Sequence, residues 1–372
     1  MTTPAPRRIQ VGGTLNPAQH VYIARHEDQD VLHRLSMGEW VNLFCSRQSG
    51  KSSLMVRVFF DLQHRGWCTA LCDLTILGTQ ADAETYFRGL TSAIAKGLKI
   101  SNYAGFWNQR TFDTPSQKFT AFVTELIPQE IDNPVAIFLD EIDSVLKLSF
   151  SADLFFALRG AYHELKRNPR KEPIVFCLAG AIAPYEFVTS AFGGSFDVGH
   201  TLALRDFSLS SDDFGEILPQ LGTDSNHAND ILRRVFFWTG GQPALTMRIL
   251  AETAGCASPG DVDRFVKQFL RNATKFFGDA KIKQLMEEIN MFFDQRTRHR
   301  QDKILDLYES ILSKRQLVPH TNADVVRELI LSGLVRLTSK EMAAAHNKVY
   351  KSLFGRKWIA ERRSLPSLEI WS

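Results

Sequence analysis

The feature that most constrains this chain is a short polar loop between two apolar elements. Trp40-Val41-Asn42-Leu43-Phe44 runs through Cys45 into Ser46-Arg47-Gln48-Ser49-Gly50-Lys51-Ser52-Ser53, and a helical pattern follows. Strand, loop and helix with Gly-Lys-Ser at the helix start make a P-loop. Backbone N–H groups and the positive end of the helix converge there on a phosphate, Lys51 is placed to reach the β- and γ-phosphates, and the Ser52 hydroxyl to ligate Mg²⁺. Gly50 stands where the backbone must pass close to the nucleotide. The full pattern carries a glycine five residues before Gly50, where this chain has Cys45.

A second motif follows about ninety residues on, where the buried-strand run Val135-Ala136-Ile137-Phe138-Leu139 ends in Asp140-Glu141-Ile142-Asp143. Apolar strand then Asp-Glu is a Walker B signature. Asp140, at the carboxyl end of a strand expected beside the P-loop, is read as the Mg²⁺ carboxylate and Glu141 as the group that polarises water. An acidic turn after a strand can also be a solvated helix N-terminus; the P-loop tips the reading toward a nucleotide site. Asp143 fits a helix N-cap or catalysis equally.

The 372 residues suit two or three domains at roughly 100–200 residues each. Strands are expected at Trp40–Phe44, Thr69–Leu74, Val135–Leu139, Ile174–Leu178 and Thr201–Leu204, with helices between them, hence a parallel sheet flanked by helices. Helical periodicity then takes over in Asp212–Leu221, Ala228–Trp238, Ala244–Ala254 and Val262–Phe277. Helices at Lys303–Leu317 and Ala323–Ser332, strands at Gly333–Thr338 and Ala344–Val349, and a closing helix at Lys351–Arg362 have the order of a winged helix. The expected fold is thus an α/β P-loop NTPase core (17–208), an all-helical lid (209–290) and a C-terminal winged-helix domain (291–372), after a flexible, Pro- and Gly-containing leader (1–16).

Composition excludes several alternatives. With 44 Lys+Arg against 41 Asp+Glu, the net charge of +3 is too balanced for a tail that holds nucleic acid by charge alone. The apolar runs fall far short of the roughly 18–20 residues that cross a bilayer, and MTTPAPRRIQ is no secretory signal. No membrane association and a cytoplasmic place are the default expectation. The five cysteines read as small residues in a reducing compartment; Cys68 and Cys72, without a second Cys/His pair nearby, make a poor zinc site.

From about Gly12 to Arg362 the chain resembles the bacterial AAA-like ATPases of the STAND group, signal-transduction ATPases related to origin-recognition-type AAA+ proteins. The likeness is carried by GGTLNP, HVYIARHEDQDVLHRL, RQSGKSSLMVRV, CDLTILG, VAIFLDEIDSVL, DLFFALRGAYHE, LAGAIAPYEF, FDVGHTLALRDFS, WTGGQPALT and HNKVYKSLFGRKWI in that order. The resemblance implies ATP or ADP held with Mg²⁺ between core and lid. It places the segment of Tyr22 and Arg25 against adenine and Pro243 of the Gly-x-Pro element against the nucleotide, and lets Arg159 reach the γ-phosphate or a neighbouring subunit. The local alternatives are a hydrophobic staple before a helix, a helix-capping proline and a solvated arginine.

Two departures stand out: Leu178-Ala179-Gly180-Ala181 carries no polar sensor, and His200 stands where relatives often have arginine, so slow hydrolysis is the expectation. The resemblance also implies a protein partner or effector in trans and leaves room for a nucleotide-dependent homo-oligomer. From Asp261 onward 21 Lys+Arg face 14 Asp+Glu, a difference of +7. Arg296, Arg298, Arg300, Lys348, Lys351, Arg356 and Lys357 are therefore candidate DNA-phosphate contacts. The leading reading is an ATP/ADP-dependent switch; the others are a DNA-associated initiator or transposition-regulator ATPase, and a degenerate P-loop scaffold.

Overall fold

The computed structural model describes residues 7–11, 13, 15–16, 19–78, 81–181, 198–221, 224–256, 258–273, 280–294, 296–313, 316–317, 323–338 and 342–365. The sheet expected from the sequence is present. Strands β1 (Val41–Phe44), β2 (Cys68–Asp73), β3 (Val135–Asp140), β4 (Ile174–Gly180) and β5 (His200–Leu202) are all parallel, in the order β2-β3-β4-β1-β5. β1, β3 and β4 are buried along their whole length, as strands covered on both faces must be, which explains their unbroken apolar sequences. β4 is inserted between β3 and the P-loop strand β1, yet the carboxyl end of β3 still reaches the loop, where Asp140 interacts with Ser52.

Around the sheet lie α1 (His26–Ser36), α2 (Lys51–His64), α3 (Ala83–Leu98), α4 (Tyr103–Gln109), α5 (Pro115–Ala121), α6 (Ile127–Glu130) and α7 (Ser151–Arg167). Phe59 of α2 meets Phe138 of β3 edge-on at 5.9 Å, and Tyr162 of α7 meets Trp40 at 5.3 Å, so aromatic packing locks helices onto the sheet. Because the strands are parallel, their carboxyl ends, carrying Cys45, Asp73, Asp140 and Gly180, gather along one edge. Ligands bind at that edge in open α/β sheets.

Beyond β5 the chain forms α8 (Leu218–Leu221), α9 (Ser225–Thr239), α10 (Pro243–Thr253), α11 (Pro259–Ala273), α12 (Ala280–Asp294) and α13 (Arg298–Ser313). Then come β6 (Gln316–Leu317), α14 (Ala323–Leu331), β7 (Val335–Leu337), β8 (Met342–Ala345), α15 (Lys348–Leu353) and α16 (Arg356–Ser364), with an antiparallel sheet ordered β6-β8-β7. Several sequence boundaries shift. The helix expected over Asp212–Leu221 is real only from Leu218, because Asp212 instead turns back to accept the Ser208 N–H at 2.8 Å. The helix expected to run to Leu317 ends at Ser313, and Gln316–Leu317 pairs with β8. Asn347, expected inside a strand, is the N-cap of α15, and the single closing helix is two, separated by Phe354 and Gly355. The end of the expected helix Val262–Phe277 lies outside the described residues.

Two hydrophobic cores result. One belongs to the sheet and its helices; the other runs without a break from Ile231 and Leu250 through Phe293 and Tyr308 to Tyr350 and Phe354, and also takes in Val21 and Ile23. The expected leader is not free at its described positions: Arg8 forms a parallel bridge with His20, and the Leu15 N–H donates to the Ser53 hydroxyl at 3.4 Å.

Candidate functional site

The loop after β1 is shaped by its own backbone. Cys45 extends the ladder by donating its N–H to the Gly180 carbonyl at 3.3 Å. The left-handed residues of the loop are Gln48 (φ 60°) and Gly50 (φ 88°), not Cys45, so the loop closes without the missing glycine. Gly50 is the N-cap of α2, and a Cβ on it would lie 3.2 Å from the Arg25 guanidinium. Lys51 is buried, its ammonium donating to the carbonyls of Cys45 (3.1 Å) and Ser46 (2.9 Å). The Cys45 thiol lies 3.2 Å from the Ser49 hydroxyl inside the loop. A buried ammonium whose partners are neutral carbonyls, beside an open helix N-terminus, is a donor set suited to polyphosphate.

The acidic side stands across the edge. Asp140 ends β3 in register with Asp73 of β2, interacts with the Ser52 hydroxyl, and accepts the Glu141 N–H at 2.9 Å. A hydroxyl and a buried carboxylate paired next to a P-loop are oxygen ligands of the kind Mg²⁺ takes. Burial pushes the Asp140 carboxyl above its ordinary range, and burial followed by the Asp143 charge does the same to Glu141. Glu141 is itself left-handed (φ 56°), a conformation that costs a non-glycine on the order of 1–3 kcal/mol and persists where surroundings impose it.

Asp143 is not the expected N-cap, a position that Glu141 takes. One Asp143 oxygen accepts the Ala181 N–H at 2.9 Å and the other accepts from Arg47 at 3.1 Å, so Asp143 braces the loop against the end of β4. The same packing explains the missing sensor: a Cβ on Gly180 would meet Ile142 Cγ2 at 2.6 Å and Asp143 Oδ1 at 2.9 Å. The end of β4 tolerates no side chain there. His200 opens β5 at the opposite end of the sheet, 3.3 Å from Glu39. Arg159 is half-buried on α7 and does not line the loop cavity.

The opposite wall comes from the amino-terminal segment and α10. Arg25 lines the cavity, and its buried guanidinium donates to the carbonyls of Ser49 (2.8 Å) and Arg205 (3.2 Å). Gly240 and Gly241 are both left-handed; the Phe207 N–H donates to the Gly241 carbonyl at 2.9 Å, and Gln242 caps α10 through the Leu245 N–H, leaving Pro243 at its first turn. The Gln242 amide also donates to the Gln48 carbonyl at 3.2 Å, tying α10 to the loop.

A cavity of about 350 Å³ results, walled by Arg47, Gln48, Gly50, Lys51, Ser52, Ser53 and Glu141 on one side and by Tyr22, Ile23, Arg25, Pro243 and Met247 on the other. Of the residues singled out from the sequence, Ser49 and Asp140 stand behind this wall, both buried. Sequence reasoning missed Gln242, Arg205, Gln10, Leu15 and Glu288. Gln242 carried a signal, as the residue preceding a helix-opening proline; Glu288 carried none.

The basic carboxyl-terminal residues are largely committed elsewhere. Arg296 pairs with Glu328, Arg300 with Glu328 and Asp324, and Arg298 with Asp302 and the Arg363 carbonyl. The Lys348 ammonium sits over the Phe237 ring, and Lys357 pairs with Glu361; Lys351 is exposed and Arg356 reaches the Ser313 hydroxyl at 3.3 Å. Among the described residues no group of three or more His, Cys, Asp or Glu gathers as a metal cluster, and no helix is long and apolar enough to cross a membrane.

Comparison with known proteins agrees with this geometry. Residues 10–356 match the family described as "AAA-like domain". The chain is 31% identical over 368 residues to an uncharacterised WD repeat-containing protein of Synechocystis, covering 95% of this chain but only 30% of that protein. The walker-type ATPase of Pyrococcus abyssi shares the fold at TM-score 0.55 and 14% identity, over 89% of this chain and 95% of that one. The ORC2 protein of Aeropyrum pernix, solved as ADPNP–ADP complexes, matches at TM-score 0.47 and 14% identity, over 96% and 98%.

Proposed function

The chain belongs to the AAA-like domain family, and on that footing we propose that it is a nucleotide-dependent switch of the STAND type, binding ATP or ADP and hydrolysing slowly. The observation that carries this is the cavity bounded by the P-loop on one side and by Tyr22, Ile23, Pro243 and Met247 on the other. In this reading residues 17–208 are the ATPase core, 209–290 the lid and 291–372 a winged helix. The continuous core from Ile231 to Phe354 makes lid and winged helix move as one body.

Lys51 and the loop amides take the phosphates, Ser52 and Asp140 hold Mg²⁺, and Glu141 orders water. Bound MgATP supplies the phosphoanhydride to be cleaved. Gly180 and Ala181 offer no polar side chain to the terminal phosphate, in keeping with slow turnover. Gln242 and Pro243 report the state of the loop to the lid, because one peptide turn holds both. The WD repeat-containing relative, of which this chain matches 30%, supports an output through protein contacts. The rival reading, a DNA-associated ATPase, loses Arg296 and Arg300 to carboxylate partners and keeps chiefly Lys351 and Arg356.

The test is to denature freshly purified protein, identify released nucleotide by chromatography, and repeat with Lys51→Ala. Stoichiometric ADP or ATP that vanishes in the variant is expected, with Glu141→Gln retaining ATP but not turning it over. A protein that is empty and ignores added MgATP would sink the switch; salt-sensitive DNA binding by that same protein would favour the rival.

A further inference from the structure

Among the described residues, the cations that line the loop cavity are Lys51, Arg25 and Arg47. Lys51 is buried at the start of α2 on the carbonyls of Cys45 and Ser46, and Arg25 is buried on those of Ser49 and Arg205. Arg47 is held differently. Its side chain is 54% exposed, and one guanidinium nitrogen meets Asp143 Oδ2 at 3.1 Å. It also lines a second cavity, of about 720 Å³, between the carboxyl edge of the sheet and α12.

The neighbours of Arg47 decide which phosphate it can serve. Glu141, read above as ordering water, must stand beside the terminal phosphate, because that is the group the water attacks. Arg47 and Glu141 line both cavities together. The Arg47 charge also acts on Glu141, opposing burial and then the Asp143 charge, which push that carboxyl up. At the end of β4, Gly180 and Ala181 bring no polar side chain to the same place.

Arg47 can leave Asp143 at little cost. The other Asp143 oxygen accepts the Ala181 N–H at 2.9 Å, so the carboxylate stays in position when the guanidinium departs. A half-exposed ion pair held at one nitrogen is weak. A guanidinium on a phosphate gains two parallel charge-assisted hydrogen bonds, so a terminal phosphate outcompetes the carboxylate. A diphosphate puts no charge there and leaves the pair intact.

We propose that Arg47 reads the third phosphate: its guanidinium rests on Asp143 beside a diphosphate, transfers to the terminal phosphate of a triphosphate, and so sets the preference between the two nucleotides. The proposal rests on the nucleotide reading above. It makes Asp143 the competitor that holds Arg47 back, and it means that the tie from the loop to the end of β4 parts when ATP binds.

Arg47→Ala and Asp143→Asn break the same pair but have opposite expected effects. The asparagine oxygen still accepts the Ala181 N–H, so that variant frees Arg47 without removing the brace on β4. Affinities for ADP and for a non-hydrolysable triphosphate analogue should be measured by calorimetry on the full chain, in Mg²⁺ and in EDTA. Arg47→Ala is expected to lose about tenfold or more in triphosphate affinity, with less than about twofold change for ADP. Asp143→Asn is expected to gain about two- to fivefold for the triphosphate. An equal loss for both nucleotides in Arg47→Ala overturns the proposal, because Arg47 would then only brace the loop. So does an unchanged ratio, a triphosphate loss in both variants, or a loss confined to Mg²⁺, which would place Arg47 with the cation instead. Wild-type protein that binds neither nucleotide refutes the underlying nucleotide reading rather than this one.

Discussion

Gly241→Ala should loosen the turn that joins Phe207 to α10, and its neighbour provides the control. Gly240 and Gly241 have φ values of 62° and 89°, so alanine at either pays the left-handed penalty of about 1–2 kcal/mol. At Gly240 the added Cβ would find its nearest neighbours at 3.4 Å, which is ordinary contact. At Gly241 it would overlap the Phe207 carbonyl oxygen outright and stand 3.1 Å from the Phe207 carbonyl carbon and 3.2 Å from Phe236. Backbone cannot yield as a side-chain end does, so the turn must retreat from Phe207. That adds about 1–3 kcal/mol of overpacking and forfeits the Phe207–Gly241 hydrogen bond, worth about 1 kcal/mol. The expected cost is therefore about 3–6 kcal/mol for Gly241→Ala against about 1–2 for Gly240→Ala. Hydrogen exchange suits a chain with two cores better than a single melting curve. Exchange should accelerate around Phe207 and at the start of α10 in Gly241→Ala, and much less in Gly240→Ala. Equal protection in the two variants would refute the reasoning.

Three further outcomes follow from the buried charges. Asp140→Asn should stabilise the protein near neutral pH by about 1 kcal/mol, raising Tm by roughly 2–4 °C: the folded Asp140 carboxyl titrates above its unfolded value, so the native state is favoured below that range and penalised as pH rises through the folded one. Scanning calorimetry at two pH values checks this, and a lower Tm at pH 7 would contradict it. Any Mg²⁺-dependent turnover needs Glu141 ionised, so its acid limb should lie above the ordinary carboxylate range, and Asp143→Asn, which removes a neighbouring charge, should move that limb to lower pH; an unmoved limb counts against Glu141. Arg25→Ala leaves the buried Ser49 carbonyl and the part-buried Arg205 carbonyl without their donor, a loss of about 1–3 kcal/mol, and should loosen nucleotide binding; undiminished affinity in a folded variant would free Arg25 of its place beside the loop.

The sheet was legible because burial on both faces forces unbroken apolar runs, and Val135–Leu139 and Ile174–Leu178 are such runs. Their lateral order was not, since adjacency in a parallel sheet is set by crossovers between distant segments; hence β4 came between β3 and β1 without a local sign. Boundaries failed where a side chain competes with helical hydrogen bonding, as Asp212 does by capping Ser208 and Asn347 by capping Tyr350. Arg296 and Arg300 read as a basic face because their partners, Asp324 and Glu328, lie on the next helix rather than the next turn of their own.

At the site, what could be read was what the covalent backbone demands. A loop that turns two residues into the left-handed region before a helix needs glycine at one of them, and Gly50 announced it. Gln48 did not: its partners come from distant helices, Gln242 on the backbone carbonyl and Glu288 on the side-chain amide. A local motif records strain that a residue relieves by its own nature; strain held by tertiary contacts leaves only an ordinary glutamine in the text. That asymmetry bears on mechanism. The contacts from α10 and α12 meet at Gln48, three residues past Cys45, so a change in the phosphate site that moves the loop must break them, and loop and helices are coupled there.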